Sequence, residues 1–307
     1  MKTELVCIIN PRACAGRTGE RWPAIAHRLE AAGFSVKALE TAGPGDGTRL
    51  TREALAGGAT TIVAVGGDGT IHEVANGFFE GGVATHPGAR LGIVPGGTGS
   101  DLIKTLGIPS DEAGAIARLS RGEVRTIDVG TVAFTNHQGQ PETRVYLNTA
   151  SAGIGGVVLA KMPQLPGFLN GTAAYLVASL MSIGQVRPYA CRISLDGEPF
   201  VSRRTLLAVF GNGRYFGGGM NILPRAELDD GLLDSLIIQD RPVPELLLHF
   251  PRIYLGNHLE SPLVDYRRVR RAVVDADEPL LLEVDGEQPG TTPATFAVSP
   301  GALQVIA

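Results

Sequence analysis

Two glycine-rich turns carry the residues best placed for chemistry, and each follows a short apolar run. The first is Gly66-Gly67-Asp68-Gly69-Thr70, after Ile62-Val63-Ala64-Val65. The second is Pro95-Gly96-Gly97-Thr98-Gly99-Ser100-Asp101, after an apolar run over 91–94. A glycine turn between a strand and a helix leaves backbone N–H groups pointing outward, and the helix dipole adds partial positive charge there. Both favour a phosphate. Asp68 is the odd member, because a carboxylate repels phosphate unless a cation lies between them. The stretch therefore points to a nucleotide phosphate with Mg²⁺ nearby. The alternative is a tight turn whose glycines supply positive φ and whose Asp68 caps the following helix.

Later in the chain come two more acidic stretches, Asp229-Asp230-Gly231 and Asp285-Gly286-Glu287. Isolated Asp-Gly pairs are usually turns. Asp285 and Glu287 follow an apolar run over 280–284, and alternation along a strand would turn both carboxylates to one face. The lysines are Lys2, Lys37, Lys104 and Lys161, so a phosphate-binding lysine has few candidates and Arg12, Arg17 or Arg214 could assist instead. Arg267, Arg268, Arg270 and Arg271 form a dense basic cluster, which reads either as a solvated strand or as a contact for anionic headgroups.

Elements that would position these residues follow from the apolar pattern. Strands are expected over 5–9, 36–39, 62–65 and 91–94. Helices follow them, one with Trp22, Ile25, Ala26 and Leu29 on one face, then over 48–56, from Ile71 to Phe79, and after a cap at Ser110. Strand alternating with helix means a parallel, doubly wound sheet covered on both faces. In such sheets a ligand lies beyond the carboxyl ends of the strands, where Asn10, Thr41 and both glycine turns fall. From Ile127 strands dominate, over 127–134, 144–149, 190–195, 205–210, 235–239, 269–274 and 280–284, which reads as a mostly antiparallel β-sandwich. Two helices interrupt it. One, over 172–183, is apolar nearly all round and reads as ordinary core. The other, near 245–255, holds Pro251 as a kink or stop. The expected division is an α/β domain over 1–126, a β-rich domain over 127–293 and a final segment, 294–307, that could return to the first domain.

The 307 residues suffice for two cores, and 44% hydrophobic with 19% charged residues is the balance of a folded globular protein. A net charge of -4 gives no electrostatic case for nucleic acid. Cys7, Cys14 and Cys191 have neither disulfide nor metal spacing, which suits a reducing cytoplasm. No signal segment or membrane-spanning run is expected. The sequence lacks GxxxxGK[ST], GxGxxG and a zincin pair, since Asn76 stands where His72-Glu73 would need a second histidine.

Together these stretches resemble the catalytic region shared by diacylglycerol kinases, sphingosine kinases and bacterial lipid kinases. Asn10-Pro11 resembles the opening NPxxG segment, with the glycine late, at Gly16. Thr41 matches the second loop, Gly66 to Thr70 the GGDGT signature, and Glu73 with Asn76 the following helix, where His72 replaces asparagine. Pro95 to Thr98 stands for PxGT, and Ser100-Asp101 departs from Asn-Asp. Asn148, Ser151 and Gly153 match the entry into the second domain. Pro224-Arg225-Ala226 with Asp229 to Asp234 resembles PxAxxDDGxLD, and Asp285-Gly286-Glu287 its late DGE.

The resemblance implies ATP- and Mg²⁺-dependent phosphorylation of a lipid hydroxyl, with the lipid entering a cleft between domains. It implies nucleotide contacts from Asn10, Pro11, Thr41, Gly66, Gly67, Asp68, Gly69, Thr70, Glu73, Thr98 and Asp101. It places a Mg²⁺ at Asp230 with the backbone oxygens of Glu227 and Leu232. It makes Asp285 or Glu287 the base, with Asp68 as a further catalytic candidate. The expected partner is a lipid at a membrane surface, reached from the cytoplasm by peripheral contact, and a homodimer stays open. The alternatives are an NAD kinase-like small-molecule kinase and an inactive nucleotide- or lipid-binding protein.

Overall fold

The computed structural model describes residues 3–96, 101–166, 171–185 and 188–307. The chain forms two compact units, Met1–Ile127 with Gly301–Ala307, and Asp128–Pro300.

In the first unit strands and helices alternate: β1 (Glu4–Ile9), α1 (Arg17–Ala31), β2 (Ser35–Glu40), α2 (Asp46–Ala56), β3 (Thr61–Gly66) and α3 (Asp68–Gly77). A small hairpin of β4 (Phe79–Glu80) and β5 (Val83–Ala84) leads to β6 (Arg90–Pro95), α4 (Asp101–Leu106) and α5 (Glu112–Arg121). The neighbours run β2-β1-β3-β6, and all three pairings are parallel. The chain thus steps from β1 to β2 on one side and crosses back to β3 on the other. That reversal opens a crevice beyond the carboxyl ends of β1 and β3, the usual ligand position of such sheets.

Leu5, Cys7 and Ile9 fall two apart on one face of β1, and Val63 and Val65 do the same on β3. Ile25 and Leu29, four apart on α1, and Ile116 and Leu119 on α5 close over them. Burial pushes the Cys7 thiol up to about 12, so it serves as packing rather than as a nucleophile. Three local readings change. α3 starts at Asp68, not Ile71. The cap of α5 is Asp111, whose Oδ1 accepts the Gly114 N–H at 2.8 Å, not Ser110. α4 forms over Asp101–Leu106, to which the sequence pattern assigns no element.

The second unit is mainly antiparallel. Its elements are β7 (Val124–Asn136), β8 (Pro141–Tyr146), β9 (Thr149–Gly153), α6 (Ile154–Lys161), α7 (Gly171–Ile183), β10 (Tyr189–Leu195), β11 (Val201–Gly211) and β12 (Leu233–Gln239). α8 (Val243–His249), α9 (Pro251–Leu255), β13 (Val264–Val269), β14 (Arg271–Ala276), β15 (Leu282–Val284) and β16 (Gly290–Ile306) complete it. β11 is the shared strand: residues 201–205 pair with β10, residues 207–211 with β9, and β12 lies along its other edge. Inside, the Phe210 and Phe296 rings stack with centroids 4.5 Å apart, among Tyr146, Leu282 and Val284.

Asp196 and Gly197 have φ of 49° and 81°, so both central residues of that turn are left-handed, as a two-residue hairpin requires. Asp196 Oδ1 also accepts the N–H groups of Arg270 and Arg271 at 2.8 and 2.9 Å. Arg270 is a break, so the strand expected over 269–274 is the junction of β13 and β14. The strand expected over 144–149 likewise divides into β8 and β9. The late helix divides at Pro251, which has no N–H to give. Of the last strand, only 301–306 joins the first unit, where Gln304 and Val305 pair with β6; residues 294–300 stay with the second. Among the described residues no helix is long and apolar enough to cross a membrane.

Candidate active site

Beyond the carboxyl ends of β1 and β3, backbone bonds draw the loops together. The Asn10 N–H donates to the Val65 carbonyl at 3.2 Å, and Asn10 Oδ1 accepts the Arg12 N–H at 3.1 Å. The Thr41 N–H donates to the Ile9 carbonyl at 2.9 Å. Asp46 closes the loop after Thr41, its Oδ2 accepting the N–H groups of Ala42 and Gly43 at 2.8 and 3.3 Å. The Ala42 N–H, then Arg49, hold the Asp46 carboxyl below the usual carboxylate range. Asn10, Arg12, Thr41, Thr70 and Glu73, with Ala42, Gly43 and Pro44, line a polar cavity of about 240 Å³. The Arg12 guanidinium makes no ion pair with a described residue. Arg17 is turned to the Cys14 carbonyl, and Arg214 to the Ala226 carbonyl.

The glycines of the first turn do different work. A Cβ on Gly66 would collide with the buried Thr70 side chain, so Gly66 is required by close approach and not by φ. No atom of the described residues comes within 4 Å of a Cβ built on Gly67 or Gly69, and neither has a left-handed φ. Among the described residues nothing demands glycine there, and none covers the bare backbone. Pro11, by contrast, is scaffold: its carbonyl accepts the Gly19 N–H at 3.2 Å at the start of α1.

Asp68 is the first residue of α3, and the helix has no side-chain cap. Both Asp68 oxygens accept the Asp101 N–H, at 3.1 and 3.2 Å. The capping alternative fails, because this carboxylate reaches the start of a different helix, α4. The Asp101 carboxylate is buried and bonds Lys104 Nζ at 2.8 Å. Thr98 lies outside the described residues. Glu73 lines the cavity and also caps a helix. Its Oε1 accepts the Gly45 N–H at 2.9 Å and its Oε2 the Gly47 N–H at 2.8 Å, while Thr48 Oγ1 donates to its carbonyl at 2.8 Å. Glu73 caps α2, where a carboxylate satisfies orphan N–H groups and meets the positive helix end. Its place on the cavity wall follows from that role.

The late acidic turn separates its two carboxylates. Asp285 and Gly286 have φ of 46° and 86°, and Val284 and Glu287 exchange backbone bonds of 2.8 and 2.9 Å across them. This is a two-residue hairpin turn. Strand alternation does not apply across it, so Asp285 and Glu287 do not share a face. Asp285 Oδ2 accepts the Leu147 N–H at 2.8 Å, and Oδ1 accepts those of Asn148 and Thr149 at 3.0 Å each. Beneath it the fully buried Tyr146 hydroxyl is pushed well above its ordinary pKa by burial and then by the Asp285 charge. Glu287 is 37% exposed, and its Oε2 meets Arg144 Nη1 at 3.1 Å. The turn is braced by Glu283, which is buried: Oε1 accepts the Gly286 N–H at 2.8 Å and Oε2 the Ser151 hydroxyl at 3.0 Å. Sequence reasoning passed over Glu283, although its alternation with Asp285 was the available signal.

At the turn expected to hold Mg²⁺, a side-chain cation already faces the acids. The Asp230 Oδ1 accepts the Leu232 N–H at 3.0 Å. Oδ2 accepts no hydrogen bond but lies 3.3 Å from Arg268 Nη1, so a cation already faces it. Glu227 Oε1 lies 3.7 Å from Arg268 Nη2. Among the described residues no group of three or more His, Cys, Asp or Glu side chains converges as a metal site. Neighbouring Asp234, also near Arg268, is pushed up to about 6 by burial, against the Tyr266 hydroxyl and Arg268.

The second unit contains an apolar cavity of about 80 Å³. Ile154, Tyr175 and Ile183 line it from α6 and α7, Leu206 and Leu207 from β11, and Leu246, Phe250 and Ile253 from α8 to α9. Ser179, His249, His258 and Ser261 add its few polar atoms. Burial lowers the His258 pKa, and its Nε2 donates to the Ile222 carbonyl at 2.8 Å. The outer faces of these helices are apolar too: Leu248 is 76% and Leu255 74% exposed, with Leu180, Met181 and Leu247 also at the surface.

Comparison with known proteins agrees with this architecture. Residues 4–132 match the diacylglycerol kinase catalytic domain, and residues 148–307 the YegS C-terminal NAD kinase beta sandwich-like domain. The chain is similar to a protein named a probable lipid kinase YegS-like of Pseudomonas aeruginosa (strain UCBPP-PA14), 37% identical over 263 residues, 85% of this chain and 81% of that one. It is 29% identical to a diacylglycerol kinase of Staphylococcus carnosus (strain TM300), over 96% of this chain and 92% of the relative. A crystal structure titled a diacylglycerol kinase from Bacillus anthracis str. Sterne superposes with a TM-score of 0.72 at 23% identity, covering 99% of this chain and 96% of that one.

Proposed function

Because the chain belongs to the family of diacylglycerol kinases and YegS-like lipid kinases, we propose that it transfers the γ-phosphoryl group of MgATP to the hydroxyl of a diacylglycerol-like lipid. The observation that carries this reading is the apolar cavity of the second unit. A kinase of a polar small molecule such as NAD has no use for a pocket lined by Ile154, Leu207, Phe250 and Ile253, whereas an acyl chain is held by such a lining alone. The exposed Leu247, Leu248 and Leu255 on the outer side of the same helices suit peripheral contact with a bilayer, from which such a substrate must be drawn. The arginine cluster suits it less, because Arg267 is 3.4 Å from Glu198 and Arg268 faces three acids.

In this reading the nucleotide phosphates lie over the open backbone of Gly67 and Gly69, with Arg12, Asn10 and Thr41 in the adjoining cavity. Phosphoryl transfer needs charge stabilisation and an oriented nucleophile. Outward N–H groups and the Arg12 guanidinium supply the first. Asp68 holds the two glycine turns in register through the Asp101 N–H. Glu287 takes the proton of the acceptor hydroxyl as its oxygen bonds to the γ-phosphorus and ADP leaves. Asp285 is a positioning residue: its three backbone acceptor bonds fix the turn that presents Glu287.

The test is phosphate transfer from labelled ATP to a panel of lipids in mixed vesicles, with product mass as readout. Phosphorylation of a diacylglycerol or close analogue is expected, with vesicle binding that weakens in a Leu248→Asp, Leu255→Asp double variant. Phosphorylation of NAD or another soluble acceptor in preference to every lipid would refute the reading.

A further inference from the structure

A turn that the family resemblance assigns to a divalent cation is instead centred on a side-chain cation. Arg268 lies on β13 directly opposite Asp234 of β12 in the antiparallel ladder, so strand register fixes its position. From there its guanidinium reaches Asp230 Oδ2 at 3.3 Å, Glu227 Oε1 at 3.7 Å and Asp234 Oδ2 at 3.9 Å. Its Nη2 also donates to the Arg225 carbonyl at 2.8 Å. The Tyr266 hydroxyl bonds the second oxygen of Asp234, and the Arg225 guanidinium stands 5.7 Å over the Tyr266 ring.

The turn has its own supports besides. Gly231 takes a φ of 73°, its N–H donates to Asp128 Oδ2 at 2.6 Å, and the Leu232 N–H returns to Asp230 Oδ1 at 3.0 Å. The planar guanidinium fork offers several donors at once and stays charged at any working pH. It answers the charge of Asp230, which is mostly buried, at a distance where a Mg²⁺ ion would meet another cation. Glu227, Asp230 and Asp234 each have a carboxylate oxygen within 4 Å of the same guanidinium.

We propose that in this chain the Arg268 guanidinium replaces a structural divalent cation at the Asp229-Asp230-Gly231 turn, so that the fold of the second unit does not depend on metal. The inference concerns folding alone and stands apart from the choice of phosphate acceptor.

Thermal unfolding of the nucleotide-free protein, in EDTA and in millimolar Mg²⁺, tests it. The wild-type melting temperature should be the same in both. Arg268→Ala should melt lower in EDTA, by roughly 2–4 °C or more, and should recover part of that loss when Mg²⁺ is added, because the acids are then left for the metal. A wild-type melting temperature that falls in EDTA and returns with Mg²⁺ would overturn the proposal. So would an Arg268→Ala variant that is no less stable, or one that is less stable yet unresponsive to Mg²⁺. If Arg268→Ala does not fold, Mn²⁺ titration of the nucleotide-free wild type followed by electron paramagnetic resonance decides. A bound ion lost in Asp230→Asn refutes the proposal, and its absence supports it.

Discussion

The two cavities of this protein are built in opposite ways. The polar cavity of the first unit is walled by the loops that follow three strands, with Arg12 from one of them and Thr70 and Glu73 from α3. The apolar cavity of the second unit is walled by large side chains from helices and from one long strand. In the first, the geometry belongs to the main chain: Gly66 gives way to Thr70, the Asn10 and Thr41 N–H groups bond the Val65 and Ile9 carbonyls, and the Asp46 carboxylate closes the loop after Thr41. In the second, the shape belongs to the side chains, and the backbone is ordinary helix and strand. A site made by backbone tolerates few substitutions and says little about which substrate it serves. A site made by side chains can be reshaped residue by residue, and specificity resides there.

The largest effect should come from the turn that carries the acids, where the two carboxylates can be separated. Glu287→Gln is expected to lower kcat by about 10²–10⁴-fold, the range for a general base, with little change in melting temperature or in KM for ATP. Asp285→Asn should act on stability first. An amide turned toward the Leu147, Asn148 and Thr149 N–H groups cannot accept from all three, and a buried donor left unmade costs about 1–3 kcal/mol. Its melting temperature should fall together with kcat. If Asp285→Asn were folded and inactive while Glu287→Gln kept its rate, the two roles would be exchanged.

A smaller effect is expected from filling the apolar cavity. Ser179→Phe puts a ring where Tyr175, Leu207 and Phe250 meet the void. For the lipid, kcat/KM should fall by about 10–100-fold, the scale of discrimination in apolar pockets. KM for ATP should hold, because the nucleotide loops are in the other unit. A rise in both KM values would mean that the substitution unsettles the whole fold, and an unchanged lipid KM would place the acyl chains elsewhere.

The same contrast explains what could be read from the residues alone. The parallel sheet was legible because four short apolar runs alternate with helical stretches, two of them ending in glycine turns, and the turn at Gly66 to Thr70 needs no partner to be recognised. The apolar cavity was not, since Ile183, Leu207, Leu246 and Phe250 look in sequence like any core residue; only the fold leaves a void among them. The α7 helix was accordingly taken as ordinary packing. α6 escaped notice because Ile154-Gly155-Gly156-Val157 has no helical periodicity and two poor helix formers. The expectation that Asp285 and Glu287 share a face failed on a positive φ: strand alternation was assumed where Asp285 turns the corner. Arg268 was not legible as a neighbour of Asp230, because it is 38 residues distant in the chain and is brought there only through the pairing of β12 and β13.

The smallest effect should be at Glu73, where the sequence pattern and the structure assign different work to one residue. The pattern makes it a nucleotide contact. In the structure its carboxylate is committed to the first N–H groups of α2, at Gly45 and Gly47, and its carbonyl to Thr48. A Cβ on Gly47 would come within 2.8 Å of Glu73 Oε2, so the glycine is there to let the carboxylate close in. Removing such a cap typically costs about 1 kcal/mol. Glu73→Ala should therefore lower the melting temperature by a few degrees, on the order expected for that loss. Glu73→Gln keeps an oxygen for one N–H group, loses the charge that favours the helix end, and should fall between the two. KM for ATP should move by less than about threefold in either, since a lost direct contact of 1.4 kcal/mol would already be tenfold. A tenfold rise in KM without a change in melting temperature would restore Glu73 to the nucleotide and make the capping incidental.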